Sequence, residues 1–255
     1  MTKRRGTRRA VLRAGLGAGL GAILLSRGGA DAAAIAGASD GGTLGTDAFG
    51  GCVLDPTTTK GPFWVDERLN RSDVRSDTNG KASPNPRPGL PLMLQFAVQG
   101  WSAGACAPLQ GAQVDIWHCD ASGLYSDVRG GTAGQNFMRG YQLTDAAGIA
   151  RFTTVYPGWY PGRTVHVHLK VRLFDASRNA TTEATTQVFF ADAISDSVYG
   201  NVSPYSARPA RDTRNSADHI YGNQRVLLLG LQGNNSSGYT GSISLGVRVG
   251  KVNRG

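Results

Sequence analysis

The feature that most constrains the fold is the spacing of apolar runs after residue 51. Runs of five to eleven residues alternate with clusters of Gly, Pro, Asn and Asp. Runs of this length between turn signals are typical of strands in an antiparallel sandwich or barrel. We therefore predict an all-β fold, an antiparallel β-sandwich with long loops and little helix, in which residues 192–198 form a short helical segment. The predicted strands are residues 90–98, 113–118, 148–155, 164–174, 186–190, 225–231 and 242–249.

The first 32 residues have the pattern of an export signal. A basic stretch precedes a Gly/Ala-rich apolar run at 14–25 and small residues at 30–32, which is the order of a cleavable signal peptide. The Arg8-Arg9 pair favours the twin-arginine pathway. The run has 12 residues, whereas a membrane span needs about 20. We therefore predict a secreted or cell-envelope protein whose mature chain has no stable membrane insertion.

The rest of the chain divides into a leader and one domain. Residues 33–50 are mainly Ala, Gly, Ser and Asp, which predicts a flexible leader, and residues 51–250 form the predicted sandwich. The net charge of +9 is concentrated in the signal, because the residues after 32 include 20 basic and 17 acidic side chains, a net of +3. This part of the chain has no basic run, so we do not predict nucleic-acid binding.

Three cysteines, Cys52, Cys106 and Cys119, allow one disulfide and one free thiol in an oxidising compartment. Cys106 and Cys119 flank a predicted strand, and their pairing is the narrowly favoured hypothesis. The pairing stays open at this point. No C-x-x-C is present, so a zinc site built from cysteines is not predicted.

The first candidate for chemistry is the pair His166 and His168. Residues two apart on a strand point to the same face, so both imidazoles can reach one metal ion. Imidazole is a ligand for iron, copper and zinc. A lone His-x-His is equally consistent with two histidines on a polar strand face.

Two tyrosines favour a metal site. Tyr160 lies between Pro-Gly pairs six residues before His166, in a stiff loop that can direct its phenol inward. Tyr125 follows the strand 113–118. A phenol has a pKa of about 10, so only a strongly Lewis-acidic ion such as iron(III) would deprotonate it at neutral pH. Taken singly, either tyrosine could be an amphipathic core or rim residue.

The segments that carry these residues, VDIWHCDASGLYS at 114–126 and YPGWYPGRTVHVH at 156–168, resemble the intradiol ring-cleavage dioxygenases. That family includes catechol 1,2-dioxygenases and protocatechuate 3,4-dioxygenases. The resemblance continues through TQVFF at 186–190, TKGPFW at 59–64 and RSDVR at 71–75, and covers most of the chain after the leader. The chain is similar to a short secreted bacterial branch of the family. It departs from the family at Lys60, where Glu is common, and lacks the long N-terminal helical region of catechol 1,2-dioxygenases.

The resemblance implies a β-sandwich of the intradiol dioxygenase type and a non-haem iron(III) site, with O2 as co-substrate. Tyr125, Tyr160, His166 and His168 would be the metal ligands. Among the catalytic residues, Tyr160 would leave the metal and accept a proton when a catechol binds, Arg163 would stabilise negative charge that develops on the substrate, and Gln187 would help to position it. The product would be a cis,cis-muconate-type dicarboxylate.

The predicted partner is a small catechol-type aromatic substrate, and the particular catechol stays open. A homodimer also stays open, because the dimer-forming region of catechol 1,2-dioxygenases is missing. Two other functions are consistent with a secreted sandwich. One is a non-catalytic binding module for aromatic or polysaccharide ligands, and the other is a copper or zinc hydrolase or oxidase.

The remaining histidines and aromatic residues have plainer interpretations. We expect His118 to be a hydrogen-bonded strand histidine and His219 to be a surface residue near a turn. Trp159 could shield the metal, stack on substrate or belong to the core. Three further tyrosines could line the pocket: Tyr141, Tyr205 and Tyr221.

Overall fold

The structure is a computed structural model that describes residues 57–128, 130–223 and 227–250. These residues belong to one compact unit, Thr43–Gly255. The predicted signal peptide, the leader and Cys52 lie outside the described residues. Within the described part of the chain, no helix is long and apolar enough to cross a membrane.

Two β-sheets form the framework. The strands of the first sheet are β1 (Pro91–Ser102), β2 (Ala105–Pro108), β5 (Ile149–Val155), β8 (Gly230–Asn234) and β9 (Gly238–Arg248). The second sheet has the order β4-β3-β6-β7, with β3 (Gln113–Trp117), β4 (Arg139–Leu143), β6 (His166–Phe174) and β7 (Ala180–Phe189). In the part of the chain that the structure describes, the α-helix α1 (Asp192–Asn201) follows β7, and 3-10 helices come after it at Tyr205–Ala207, Asn215–Ala217 and Tyr221–Asn223.

The core lies between the two sheets, because alternate side chains of each strand point inward. In β1 these are Leu92, Leu94, Phe96 and Val98, all at most 1% exposed. In β6 they are Val167, Leu169 and Val171, which belong to the same apolar cluster.

The opposite face of the second sheet carries the polar residues of β6, and it is also buried. His166, His168 and Lys170 are each no more than 5% exposed. Residues 57–72, the covering segment, lie over this face. Thr58 N donates to Thr185 O at 2.8 Å, and Trp64 packs edge-on against Trp117 with 4.5 Å between ring centroids. The covering segment therefore makes a second protected layer in which polar chemistry can be held away from water.

The predicted sandwich is confirmed, with corrections in detail. Seven of the nine strands in the described residues overlap predicted ones, whereas β2 and β4 were missed. The sandwich is not wholly antiparallel, since β1 and β9 pair in parallel over Leu92–Trp101. The strand predicted at 225–231 overlaps β8 only at Gly230 and Leu231, and β8 continues to Asn234; residues 225 and 226 lie outside the described residues. The short helix predicted at 192–198 is α1, three residues longer.

Candidate metal centre

Four side chains converge at the end of β6 that faces the covering segment. His166 Nε2 lies 3.1 Å from His168 Nε2, 3.2 Å from Tyr160 Oη and 3.4 Å from Tyr125 Oη. The two histidines meet because they lie two residues apart on β6. The structure thus brings together the four residues predicted as metal ligands.

Glycines allow the two tyrosine loops to approach each other. A Cβ on Gly123, whose φ is +82°, would lie 2.2 Å from Trp159 O. A Cβ on Gly158 would lie 2.5 Å from Ala121 O. Only glycine tolerates contacts this close between two backbones. The Gly-rich motifs around Tyr125 and Tyr160 are therefore the local reason that both phenols reach one point.

Burial controls the protonation of the four side chains. It lowers the pKa of His166 to about 3, and it lowers that of His168 well below the ordinary value. Burial also raises the pKa of Tyr160 to about 12 and that of Tyr125 well above the ordinary value. All four groups are consequently neutral near pH 7. Neutral imidazole is the form that binds metals, and a nearby multivalent cation reverses the preference of a buried phenol for its proton.

The donor set fits a single metal ion. Ligand atoms held about 2.0 Å from one tetrahedral ion lie about 3.3 Å apart, which is close to the separations found here. His166 Nδ1 lies 2.6 Å from Thr164 O, so this nitrogen donates and Nε2 keeps a lone pair directed at the other three donor atoms. No group of three or more His, Cys, Asp or Glu in the described ranges is arranged to hold a metal. A metal held here would also need the phenol oxygens of Tyr125 and Tyr160, which as phenolates are hard anionic donors of the kind that suits a ferric ion.

Aromatic rings enclose the ligands. Phe63 of the covering segment stacks on Tyr125 with 4.4 Å between centroids. Trp117 stacks on His168 at 4.9 Å with an interplanar angle of 9°. Gly61 is so close that a Cβ there would lie 3.3 Å from His168 Cε1. This wall restricts the ligands to one orientation and keeps bulk water from their apolar side.

The predicted residues Arg163 and Gln187 lie together beside this cluster. Arg163 Nη2 donates to Gln187 Oε1 at 2.6 Å, and Gln187 is the cross-strand partner of His168. Arg163 Nε donates to Asp218 Oδ2 at 2.8 Å. Asp218 belongs to the loop after α1 and was missed in the sequence, where its neighbour His219 drew attention.

The histidines with plainer interpretations behave as expected. His118 is fully buried just after β3, with Nδ1 at 2.8 Å from Cys119 O and Nε2 at 2.7 Å from Thr154 Oγ1. His219 is exposed.

Of the other aromatic candidates, one lies near the candidate metal centre and three lie elsewhere. Tyr221 packs against Phe189 at 5.2 Å, close to His166, so it lies near the centre. Tyr205 is instead a core residue whose hydroxyl donates to Tyr156 O. Tyr141 lines a separate cleft with Arg172, and Trp159 packs beneath Arg208 at 4.7 Å.

The favoured cysteine pairing is wrong. Cys119 is a free buried thiol, and Cys106 is disulfide-bonded. Cys119 lies in the apolar cluster of Trp117 and Tyr125 and donates to Gly158 O at 3.3 Å. Because burial raises the pKa of this thiol far above its ordinary value, Cys119 is a packing residue rather than a nucleophile.

Comparisons with known proteins agree with this arrangement. The sequence model of a family described as dioxygenase matches residues 60–200. An intradiol ring-cleavage dioxygenase from Tetranychus urticae is 27% identical, covers 77% of this chain and 95% of its own, and superposes with a TM-score of 0.64. The dioxygenase domain of a carbohydrate-binding fusion protein from Streptomyces sp. SirexAA-E is 25% identical over 77% of this chain and 99% of its own, with a TM-score of 0.54.

More distant structures share the fold. Catechol 1,2-dioxygenase from Pseudomonas arvilla C-1 is 23% identical over 76% of this chain and 62% of its own, with a TM-score of 0.53. No curated protein sequence matched.

Proposed function

Because the chain belongs to the intradiol ring-cleavage dioxygenase family, we propose that it uses iron(III) and O2 to convert a catechol-type ring into a cis,cis-muconate-type dicarboxylate. The observation that carries this proposal is the convergence of two neutral imidazoles and two phenols on one point. Two imidazoles and two phenols buried together are a suitable ligand set for a strongly Lewis-acidic cation.

Tyr125, Tyr160, His166 and His168 would hold the iron. When bound, ferric iron would supply Lewis acidity, chelating both catechol oxygens and making the ring reactive toward O2. The residues of the chain contribute binding, orientation and proton transfer.

Tyr160 is the better placed of the two phenols to act as a base. Tyr125 is only 4% exposed and is stacked under Phe63, whereas Tyr160 is half-buried in a loop of Pro and Gly residues. Movement of Tyr160 therefore disturbs less packing. Burial raises the pKa of the Tyr160 phenol to about 12, so its phenolate oxygen would be basic enough to accept a proton from a catechol hydroxyl.

Arg163 would place a fixed positive charge beside the ring. Negative charge develops on the substrate as O2 attacks, and a preorganised cation in a water-poor site stabilises it strongly. Gln187 holds one end of the guanidinium at 2.6 Å and lies across the sheet from His168. It would align the ring between the metal and Arg163.

The mature enzyme would act outside the cytoplasm. This part of the proposal rests on the signal pattern of residues 1–32. Mass spectrometry of the secreted protein tests it, because an intact N-terminus in the culture medium or cell envelope would contradict cleavage.

Isotope incorporation tests the reaction. The iron-loaded protein is incubated with catechol under isotopically heavy O2, and the product is analysed by mass spectrometry. We expect a ring-opened dicarboxylate that carries both heavy atoms. Tyr160→Phe should lose most of this activity, while Tyr141→Phe, a matched change on the same sheet away from the centre, should keep it. Cleavage of a ring bond other than the one between the two hydroxyl-bearing carbons would contradict the assignment. A product without heavy oxygen would also contradict it.

A further inference from the structure

The Asp218 carboxylate lies fully buried against Arg163, the residue proposed to stabilise charge on the substrate. Its side chain is 0% exposed, and that of Arg163 is 13% exposed. We infer that Asp218 is a positioning residue, which fixes the orientation of the Arg163 guanidinium for the ring-cleavage reaction. The inference rests on the proposed function.

Four hydrogen bonds hold the Asp218 carboxylate in one orientation. Oδ2 accepts from Arg163 Nε and from Thr164 N, each at 2.8 Å. Oδ1 accepts from Ile220 N at 2.8 Å and from Tyr221 N at 3.0 Å. Three of the donors are backbone groups with fixed directions, so the carboxylate cannot rotate without losing bonds. It therefore presents an immobile acceptor to Arg163.

Arg163 is held from two sides. Asp218 accepts from Nε, and Gln187 Oε1 accepts from Nη2 at 2.6 Å. Gln187 in turn donates to Thr59 O of the covering segment at 3.3 Å. Nη1 makes no hydrogen bond with the described residues, so it is available to the substrate. A free arginine side chain has many rotamers, and fixing it before the reaction removes an entropic cost from the transition state.

The same carboxylate reaches the metal centre through the backbone. Thr164 donates its N–H to Asp218, and Thr164 O accepts from His166 Nδ1 at 2.6 Å. A change at Asp218 could therefore act through His166 instead of Arg163. The two routes differ in what they alter, because loss of the first weakens catalysis whereas loss of the second weakens metal binding.

The test is a double-mutant cycle between Asp218→Asn and Arg163→Met. Asparagine keeps the shape but replaces one carboxylate oxygen with an NH2 group, which cannot accept a hydrogen bond. In either orientation that NH2 group faces two donors, either Arg163 Nε and Thr164 N or Ile220 N and Tyr221 N, so two hydrogen bonds and the negative charge are lost. We expect kcat for catechol cleavage to fall about 10- to 100-fold, the range for partners that orient active-site groups. The Kd for catechol, from anaerobic optical titration of the iron-loaded protein, should change much less. In the Arg163→Met background, measured by product accumulation over hours, Asp218→Asn should have almost no further effect.

Asn215→Ala is the matched control from the same loop. Asn215 accepts from Thr164 Oγ1 at 2.6 Å and donates to Phe190 O at 2.9 Å, but it does not touch Arg163. Its effect on kcat should be independent of Arg163→Met. Asp218→Glu keeps the charge and serves if Asp218→Asn does not fold; it should lose activity only when Arg163 is present.

The inference is overturned if the effects of Asp218→Asn and Arg163→Met on kcat are additive. It is also overturned if a loss of bound iron accounts for the whole fall in kcat. Failure of the proposed function is distinguishable, because the unmodified protein would then neither bind ferric iron nor open the ring.

Discussion

Replacing Gly61 with alanine should weaken iron binding, because it displaces the covering segment from His168. Gly61 has a φ of +67°, and a Cβ there would lie 3.3 Å from His168 Cε1 and 3.9 Å from His168 Nε2. The left-handed backbone costs a non-glycine residue about 1–2 kcal/mol. The contact adds a displacement of a few tenths of an ångström between the covering segment and His168. For a domain of this size, the backbone cost alone corresponds to a fall in Tm of about 2–8 °C.

Gly80→Ala separates the two effects. Gly80 has a φ of +70° and no atom within 4 Å of its added Cβ, so it carries the same backbone cost without the contact. We expect both variants to unfold at similarly lowered temperatures in calorimetry. Only Gly61→Ala should bind ferric iron more weakly, roughly tenfold by competition with a chelator. Equal iron affinity in the two variants would refute the view that Gly61 holds the covering segment against His168.

Further predictions concern groups around the centre. Ser126→Ala should lower the free energy of unfolding, measured by chemical denaturation, by about 1–3 kcal/mol. The reason is that Ser126 Oγ donates to Phe137 O at 2.6 Å and accepts from buried Arg139 Nε at 2.9 Å. An unchanged free energy of unfolding would show that Arg139 finds another acceptor. Cys119 should resist alkylation in the native protein and react after unfolding, as measured by peptide mapping, since its thiol is buried and its pKa is raised; rapid native labelling would contradict this. Burial opposes ionisation of Asp218, but hydrogen bonds from Arg163, Thr164 and Tyr221 outweigh it and lower its pKa. A lowered carboxyl pKa stabilises the fold above the ordinary value near 3.9, and this stability is lost as the pH falls through the folded-state pKa. The unfolding free energy should therefore decline more steeply below about pH 4 in the unmodified protein than in Asp218→Asn; identical slopes would count against an ionised Asp218.

The sequence predicted most of what the short-range patterns encode. The alternation of β6 was enough to place His166 and His168 on one face. The Pro-Gly pairs around Tyr160 were enough to predict an inward-facing loop. These signals come from local geometry, which a single sequence displays directly.

What the sequence did not reveal depends on contacts between distant segments. β4 contains Arg139 and Gly140 and has no apolar alternation, yet it pairs with β3. Its position depends on distant contacts, since buried Arg139 donates to Ser126 and Gly140 lies against Arg71. The parallel pairing of β1 and β9 joins residues about 150 positions apart, and no local sequence pattern predicts such a pairing.

Residues that surround the candidate site but were not predicted show the same limit. Asp218 lies 55 positions from Arg163, and Phe63 lies 62 positions from Tyr125. Neither contact can be predicted from the spacing of motifs. An aspartate whose carboxylate accepts from the backbone two residues on, as Asp218 accepts from Ile220 N, is a common turn pattern. Its full burial against an arginine was visible only in three dimensions.

The most direct test of the account is the visible absorption spectrum of the ferric-loaded mature protein, before and after anaerobic addition of catechol. Two phenolate ligands predict a broad tyrosinate-to-iron(III) charge-transfer band that shifts when catechol binds. Tyr125→Phe and Tyr160→Phe should each weaken and shift that band, and Tyr141→Phe should leave it unchanged. A protein that stays colourless after ferric iron is supplied would contradict the metal centre and favour a non-catalytic binding module.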